Sequence, residues 1–136
     1  MLLRSFVSLL HKLTPTALAE SWDNVGFQVG DPNQEIIKAL RPGFTMTQMD
    51  SIAKSVIGKA GFEKYILHSC THYLGLDVHD VGDRQEKFAA GCVVTVEPGI
   101  YIPPNSDLPP AYWNIGVRIE DDVLITADGN RNLSAG

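Results

Sequence analysis

The sequence has little of several features that define particular classes of protein. Its 136 residues contain only two cysteines, Cys70 and Cys92, too few for a disulfide framework and not arranged as a CxxC motif. No apolar run approaches the ~20 residues that a membrane helix requires. Lysine and arginine total 11 against 16 acidic residues, and they do not cluster. Because phosphate recognition needs clustered basic side chains, we expect no nucleic-acid partner. The short apolar runs also predict no membrane partner, and the two cysteines are expected to be reduced, as in a cytoplasmic protein.

The N-terminal segment has apolar residues at helical spacing, which predicts an amphipathic helix over residues 3–13. Because a basic residue, an apolar stretch and an Ala-Leu-Ala triplet also occur in the first twenty residues, a targeting peptide is the alternative interpretation. A short strand is predicted at residues 26–29, followed by a turn at residues 31–33.

A second helix is predicted over residues 45–60. Thr45 is a favourable N-cap, and Gln48 stands three residues later, as in a capping box. Gly61 is placed to end the helix. The intervening apolar residues form one stripe that can face a core, namely Met49, Ile52, Ala53, Val56, Ile57 and Ala60.

After Gly61 the pattern favours strands and turns. Asp121 and Asp122 fit the two-residue turn of a hairpin, and the proline-rich residues 103–110 predict a loop. We therefore expect an α+β domain in which an antiparallel sheet packs against the helix of residues 45–60. The predicted strands are residues 65–67, 73–78, 92–97, 114–120 and 123–126.

Two segments, VVTVEPGIY (residues 93–101) and VRIEDD (residues 117–122), each place a glutamate among apolar residues. Burying the carboxylates of Glu97 and Glu120 is costly unless a positive charge compensates them. His68, His72 and His79 lie just upstream, and histidine nitrogen with carboxylate oxygen is a ligand set for Zn, Mn, Co or Fe. The pattern suggests a shared metal site, and solvent-exposed polar residues at strand ends are the alternative.

The two-residue period of strands adds detail to this site. Arg118 and Glu120 share a face, so the guanidinium can orient or offset the carboxylate. His68 and His72 can also share a face, whereas His79 lies an odd number of residues from His72 and requires a break in the strand.

From about residue 40 to residue 135 the chain resembles the C-terminal part of Xaa-Pro aminopeptidases, also called aminopeptidase P. The segments that carry the resemblance are LRPGFT, HSCTHYLGLDVHDVG, AAGCVVTVEPGIYIP and IGVRIEDDVLITADGNRNLS. The resemblance implies half of the pita-bread fold of the creatinase and aminopeptidase family. It also implies a metallohydrolase that releases the N-terminal residue before a proline.

By position in these motifs, the resemblance implies that His72, Glu97 and Glu120 are metal ligands. Glu97 is additionally implied as the base for the attacking water. The implied cofactor is a divalent metal, with Mn preferred and Zn or Co as alternatives, and the implied substrate is a peptide with proline at its second position.

The resemblance also implies catalytic roles for His68 and His79, which line the substrate pocket, and for Arg118 beside the ligands. Two aspartate ligands of the family have no counterpart, since Asp23 and Asp31 are the only aspartates in the corresponding region and lie in no matching motif. We therefore expect an inactive or impaired enzyme that binds metal weakly or not at all. The alternative is a non-catalytic structural or interaction module, and in either case an exposed site face predicts a homo-oligomer.

Residues 2–35 resemble a different family, the NIF-three-like proteins or type 2 GTP cyclohydrolase I homologues, through LAESWDNVG. This resemblance implies no functional residue in the segment. The sequence thus predicts a chimera of two parts, residues 1–37 and residues 38–136.

Overall fold

A computed structural model of the chain describes residues 32–135. The predicted N-terminal helix and the predicted strand at residues 26–29 lie outside this range. Within the range, no helix combines the length and apolar character needed to cross a membrane.

The first described element is helix α1, Pro32–Ala39, which the sequence interpretation missed. The predicted turn at residues 31–33 is wrong for Pro32 and Asn33, because both are helical. Proline is compatible with the first position of a helix, where its missing N–H has no helical partner. Ile36 and Ile37 on this helix are buried in the core.

Helix α2, Met46–Gly58, confirms the predicted helix and ends two residues before the predicted Ala60. Its capping box is present. The backbone N–H of Gln48 donates to Thr45 Oγ1 at 3.2 Å, and the backbone N–H of Thr45 donates to Gln48 Oε1 at 3.0 Å. Its buried residues face the core, namely Met46, Met49, Ala53 and Ile57.

Between residues 32 and 135, six strands form two antiparallel sheets. In chain order they are β1 Tyr73–Leu74, β2 Val93–Val96, β3 Gly99–Ile102, β4 Ile115–Arg118, β5 Asp121–Ile125 and β6 Asn130–Asn132. A four-stranded sheet has the order β1-β2-β5-β6, and β3 pairs with β4 as a separate two-stranded sheet. The α+β class with an antiparallel sheet is therefore confirmed.

The predicted hairpin turn at Asp121 and Asp122 is wrong. Both residues belong to β5, where they pair with residues 95–96 of β2, while β4 pairs with β3 instead. Asp121 can occupy a strand because the side-chain amides of Asn33 and Asn132 donate to its carboxylate at 3.0 Å each. Distant partners thus replace the solvent that a turn would provide.

The strands predicted at residues 65–67 and 73–78 are corrected as well. The first overlaps a 3₁₀ turn, Glu63–Tyr65, and its remaining residues, 66 and 67, belong to no strand. The second keeps only β1, because the chain then folds back and the Asp80 N–H donates to the Tyr73 carbonyl at 3.0 Å. A Cβ on Gly75 would collide with the Asp80 carboxylate, so glycine makes this close return possible.

The core lies between the two helices and the four-stranded sheet. β2 is the centre of this layer, since Val94, Thr95 and Val96 are all buried. Helix α1 contacts β2 and β6 as well as α2. The residues of this core are Ile36, Ile37, Leu40, Met46, Met49, Ala53, Cys70, Phe88, Val94, Val96, Val123 and Ile125.

Candidate metal centre

Glu97 follows β2 directly and carries its carboxylate into the protein, where the residue is only 8% exposed. Its backbone N–H donates to the Cys70 carbonyl at 2.8 Å, which continues the pairing beside β2. The carboxylate faces His72 Nε2 at 3.2 Å and Arg118 Nη1 at 3.5 Å. The buried carboxylate therefore has one positive neighbour, the Arg118 guanidinium, and an imidazole nitrogen beside it.

His72 is fixed from two sides. Its backbone N–H donates to Thr95 Oγ1 at 3.1 Å, and the Thr95 N–H donates to the His72 carbonyl at 2.9 Å. Its Nδ1 lies 2.9 Å from the Tyr73 carbonyl, which can only accept, so Nδ1 carries the proton. In the neutral ring, Nε2 then presents a lone pair toward Glu97. Such an arrangement calls for a proton or a cation between the two atoms.

Glu120 completes the group from the other side. Its side chain is 37% exposed, and its Oε2 lies 3.7 Å from Arg118 Nη2. Ligand atoms of His72, Glu97 and Glu120 all lie within 4.8 Å of one another, and residues 32–135 contain no second group of this kind. One imidazole nitrogen and two carboxylates suit one divalent cation, because the donors are of the types such ions accept and the two negative charges offset the ion. The three predicted ligands therefore converge.

The other two predicted histidines lie in different surroundings. The His79 ring is edge-on to the His72 ring with 4.3 Å between centroids, so the return of the chain after β1 brings it beside the ligands. His68 is exposed, and its Nε2 lies 2.8 Å from the Tyr101 hydroxyl on β3. The predicted break that lets His79 approach His72 is confirmed.

Tyr101 was not singled out from the sequence, although it ends the VVTVEPGIY motif. It covers Gly99, where an added Cβ would lie 2.6 Å from His68 Nε2 and 2.8 Å from the Tyr101 hydroxyl. Glycine at this position is thus needed for the His68–Tyr101 contact.

Asp50, on α2, is a second site-supporting residue that no sequence pattern marks. Its carboxylate accepts from Ser69 Oγ at 2.9 Å and from the Cys70 N–H at 2.8 Å, and it pairs with Arg84. Helix α2 thereby anchors the segment that leads to His72. Burial first, and then the nearby Asp50 carboxylate, raise the pKa of the Cys70 thiol, so the structure offers no activated thiolate at this position.

Comparison with known proteins gives a consistent result. The profile of metallopeptidase family M24 matches residues 29–127. The Xaa-Pro aminopeptidase of Escherichia coli is 48% identical over 84 residues, which cover 59% of this chain and 19% of that protein. An uncharacterised peptidase of Staphylococcus saprophyticus is 39% identical over 125 residues, covering 89% of this chain and 32% of that protein.

Solved structures agree with these sequence relatives. Proline aminopeptidase P II from Yersinia pestis superposes with a TM-score of 0.64 at 35% identity, covering 76% of this chain and 29% of that one. The prolidase from Pyrococcus horikoshii gives a TM-score of 0.64 at 35% identity, covering 78% and 29%. The chain thus spans only about a third or less of the length of these relatives.

Proposed function

Because the chain belongs to metallopeptidase family M24, we propose that His72, Glu97 and Glu120 hold a divalent metal ion within part of an Xaa-Pro aminopeptidase-type site. The observation that carries this proposal is the convergence of three ligand atoms within 4.8 Å. Mn²⁺ is the proposed ion, with Zn²⁺ or Co²⁺ as alternatives, since all three accept nitrogen and carboxylate oxygen donors.

The side chains around these ligands have separable roles in the proposal. A bound divalent ion would supply Lewis acidity and a water of lowered pKa. Glu97 would accept the proton of that water. Arg118, which lies beside both carboxylates, would orient Glu97 and Glu120 relative to each other. His79 and His68 would line the substrate side and donate to the reacting carbonyl.

The proposed substrate is a peptide with proline at its second position. The support is the Escherichia coli relative, whose name states that it is an Xaa-Pro aminopeptidase. The test is release of the N-terminal residue from a short Xaa-Pro peptide with added Mn²⁺, for the wild type and for Glu97→Ala. Hydrolysis that survives Glu97→Ala would reject the role given to Glu97.

A second candidate is a non-catalytic module that binds metal weakly. It is favoured by the size of the ligand group, because no aspartate of residues 32–135 joins the three converging side chains. Metal geometry and water activation depend on the whole ligand set, so we expect hydrolysis by this chain to be weak or absent. Metal binding without hydrolysis of any Xaa-Pro peptide would select this candidate, whereas turnover that depends on Mn²⁺ and Glu97 would exclude it.

We also propose that the chain self-associates, because large apolar side chains are exposed, namely Leu67, Leu76, Val78, Val81, Ile115 and Val117. Sedimentation analysis should detect a dimer or larger species, and a clean monomer at micromolar concentration would contradict the proposal. A reducing, cytoplasmic environment is proposed from the two free cysteines. Mass spectrometry of protein isolated from cells under thiol-blocking conditions should find both unoxidised.

We also propose a chimeric origin for residues 1–37 and 38–136. It is supported by the LAESWDNVG motif. Against it, the family profile begins at residue 29 and the Staphylococcus saprophyticus peptidase aligns with 89% of this chain, so both matches extend into residues 1–37. Helix α1 extends across the proposed boundary, and the compact unit containing the described residues begins at Asp31. We therefore expect a chain shortened to begin at residue 31 to keep a cooperative unfolding transition and metal binding. Loss of both would show that the first segment is required.

A further inference from the structure

Asn33 is a buried asparagine on α1 whose side chain contacts both segments that lead to the proposed glutamate ligands. The residue is 1% exposed, and its side-chain nitrogen lies near three acceptors. It donates to the Val96 carbonyl at 3.1 Å, to the Ile119 carbonyl at 2.8 Å and to the Asp121 carboxylate at 3.0 Å. Because all three neighbours accept, the amide orientation is fixed with its nitrogen toward them.

The two carbonyls belong to the residues immediately before Glu97 and Glu120. A carbonyl lies in the same rigid peptide plane as the following N–H, so a hydrogen bond to it restrains where the next residue begins. We infer that Asn33 is a positioning residue that sets the spacing and direction of Glu97 and Glu120. This inference rests on the proposed metal site for its consequence, though not for its geometry.

The surroundings of the amide support a role in placement. Asp121 accepts from Asn132 as well, so the carboxylate that receives the Asn33 amide is itself held in place. The oxygen of the same amide is unsatisfied, since Asn33 Oδ1 has no hydrogen-bond partner among the described residues. A buried acceptor without a partner opposes folding. The amide nitrogen, by contrast, joins the end of β2 to the residue that follows β4, and these two segments do not pair with each other.

A matched control exists at the other end of the same helix. The Asn130 side-chain nitrogen donates to the carbonyls of Ile37 and Leu40 at 2.7 Å each. It therefore also links α1 to the sheet through two carbonyls, but neither carbonyl precedes a proposed ligand. Asn33→Leu and Asn130→Leu each remove one amide with little change in side-chain size.

The test compares Mn²⁺ affinity and backbone amide NMR shifts in these two variants and the wild type. We expect Asn33→Leu to weaken Mn²⁺ binding about tenfold or more and to shift the amide signals of Glu97 and Glu120. Asn130→Leu should lower the unfolding midpoint while leaving both readouts at wild-type values. Equal affinities and unmoved Glu97 and Glu120 signals in Asn33→Leu would overturn the inference.

Two further outcomes remain decisive. If the wild type binds no Mn²⁺, the proposed function fails, and the NMR shifts alone decide whether Asn33 places the two glutamates. If Asn33→Leu does not fold, Asn33→Ser replaces it, because the hydroxyl keeps a single donor. That variant should show a smaller loss of affinity in the same direction, and wild-type affinity in it would overturn the inference.

Discussion

Strands β2 and β4 both lead into a proposed ligand, yet their surroundings differ. β2 is the core of the four-stranded sheet, with Val94 fully buried, and Glu97 follows it directly. All four residues of β4 are exposed, with Val117 at 48%, and Glu120 comes two residues after the strand ends. One carboxylate is therefore placed by the core, whereas the other depends on a few individual contacts.

The two glutamates are therefore held in place by different numbers of contacts. Glu97 lies beside the His72 imidazole and the Arg118 guanidinium. Its N–H donates to the Cys70 carbonyl, and the Asn33 amide donates to the carbonyl that precedes it. The contacts on the Glu120 side are its ion pair with Arg118 and the Asn33 amide on the preceding carbonyl. We expect the Glu120 side to be the more easily displaced of the two.

The largest expected effect is on metal binding. Glu97→Gln removes the most buried of the three proposed ligands. Mutation of a residue that only hydrogen-bonds to a ligand typically lowers metal affinity about 10–100-fold, so we expect Glu97→Gln to lower Mn²⁺ affinity by more than that. Glu120→Gln should have a smaller effect, because its exposed position lets water replace the lost oxygen. Isothermal titration measures both, with the exposed Glu86→Gln as control. A larger loss of Mn²⁺ affinity for Glu120→Gln than for Glu97→Gln would contradict the expectation that Glu97 is the more firmly held ligand.

The next effect is on stability. Val94→Ala in β2 should lower the free energy of unfolding by about 1.5–3 kcal/mol, since burying a valine contributes about that much and a cavity adds to the loss. Val117→Ala in β4 makes the same chemical change at an exposed site and should stay within about 0.5 kcal/mol. Urea denaturation gives both values. Similar losses would mean that β4 is buried in solution, for instance by a second copy of the chain.

A smaller effect tests whether α2 unfolds together with β2. Thr45→Ala removes the N-cap and should cost about 1 kcal/mol without changing Mn²⁺ affinity. Ser55→Ala, in the exposed interior of the same helix, should be neutral or slightly stabilising because alanine is the better helix former. A separate, non-cooperative loss of helix in circular dichroism of Thr45→Ala would contradict one shared core.

The smallest effect concerns an ionic contact beside the β3–β4 sheet. Hydrogen bonds from Lys64 and then Tyr65 lower the pKa of the exposed Asp107 carboxyl. A lowered folded-state pKa contributes stability that is present above the usual aspartate pKa, about 3.9, and is lost as pH falls through the folded value. Asp107→Asn should therefore make the decrease of the unfolding midpoint slightly smaller as the pH falls below the usual aspartate pKa. If the unfolding midpoint of Asp107→Asn falls with acid as steeply as that of the wild type, the contact contributes nothing to stability.

The elements that the sequence predicted well depend on neighbours in the chain. The α2 helix followed from Thr45, Gln48 and a regular apolar stripe, and the convergence of His72 with the two glutamates followed from motif resemblance. Local patterns of this kind are visible in a single sequence because the interacting residues are close together or belong to a known motif.

The elements that were missed depend on distant partners. Asp121 looked like a turn residue because its amide partner Asn33 lies 88 positions away. The helix α1 was hidden by an Asp-Pro pair that resembles a turn, although proline also suits a helix start. Neither the pairing of β3 with β4 nor the role of Asn33 leaves a pattern in the sequence, since both arise only when the strands meet.

The central claim is that His72, Glu97 and Glu120 share one divalent ion. Crystals grown with Mn²⁺ and measured at the manganese absorption edge test it most directly. We predict one anomalous peak per chain within about 2.2 Å of the His72 Nε2 atom and of an oxygen from each glutamate, as expected for nitrogen and carboxylate ligands of such an ion. A peak at other carboxylates, or no peak at millimolar Mn²⁺, would contradict it.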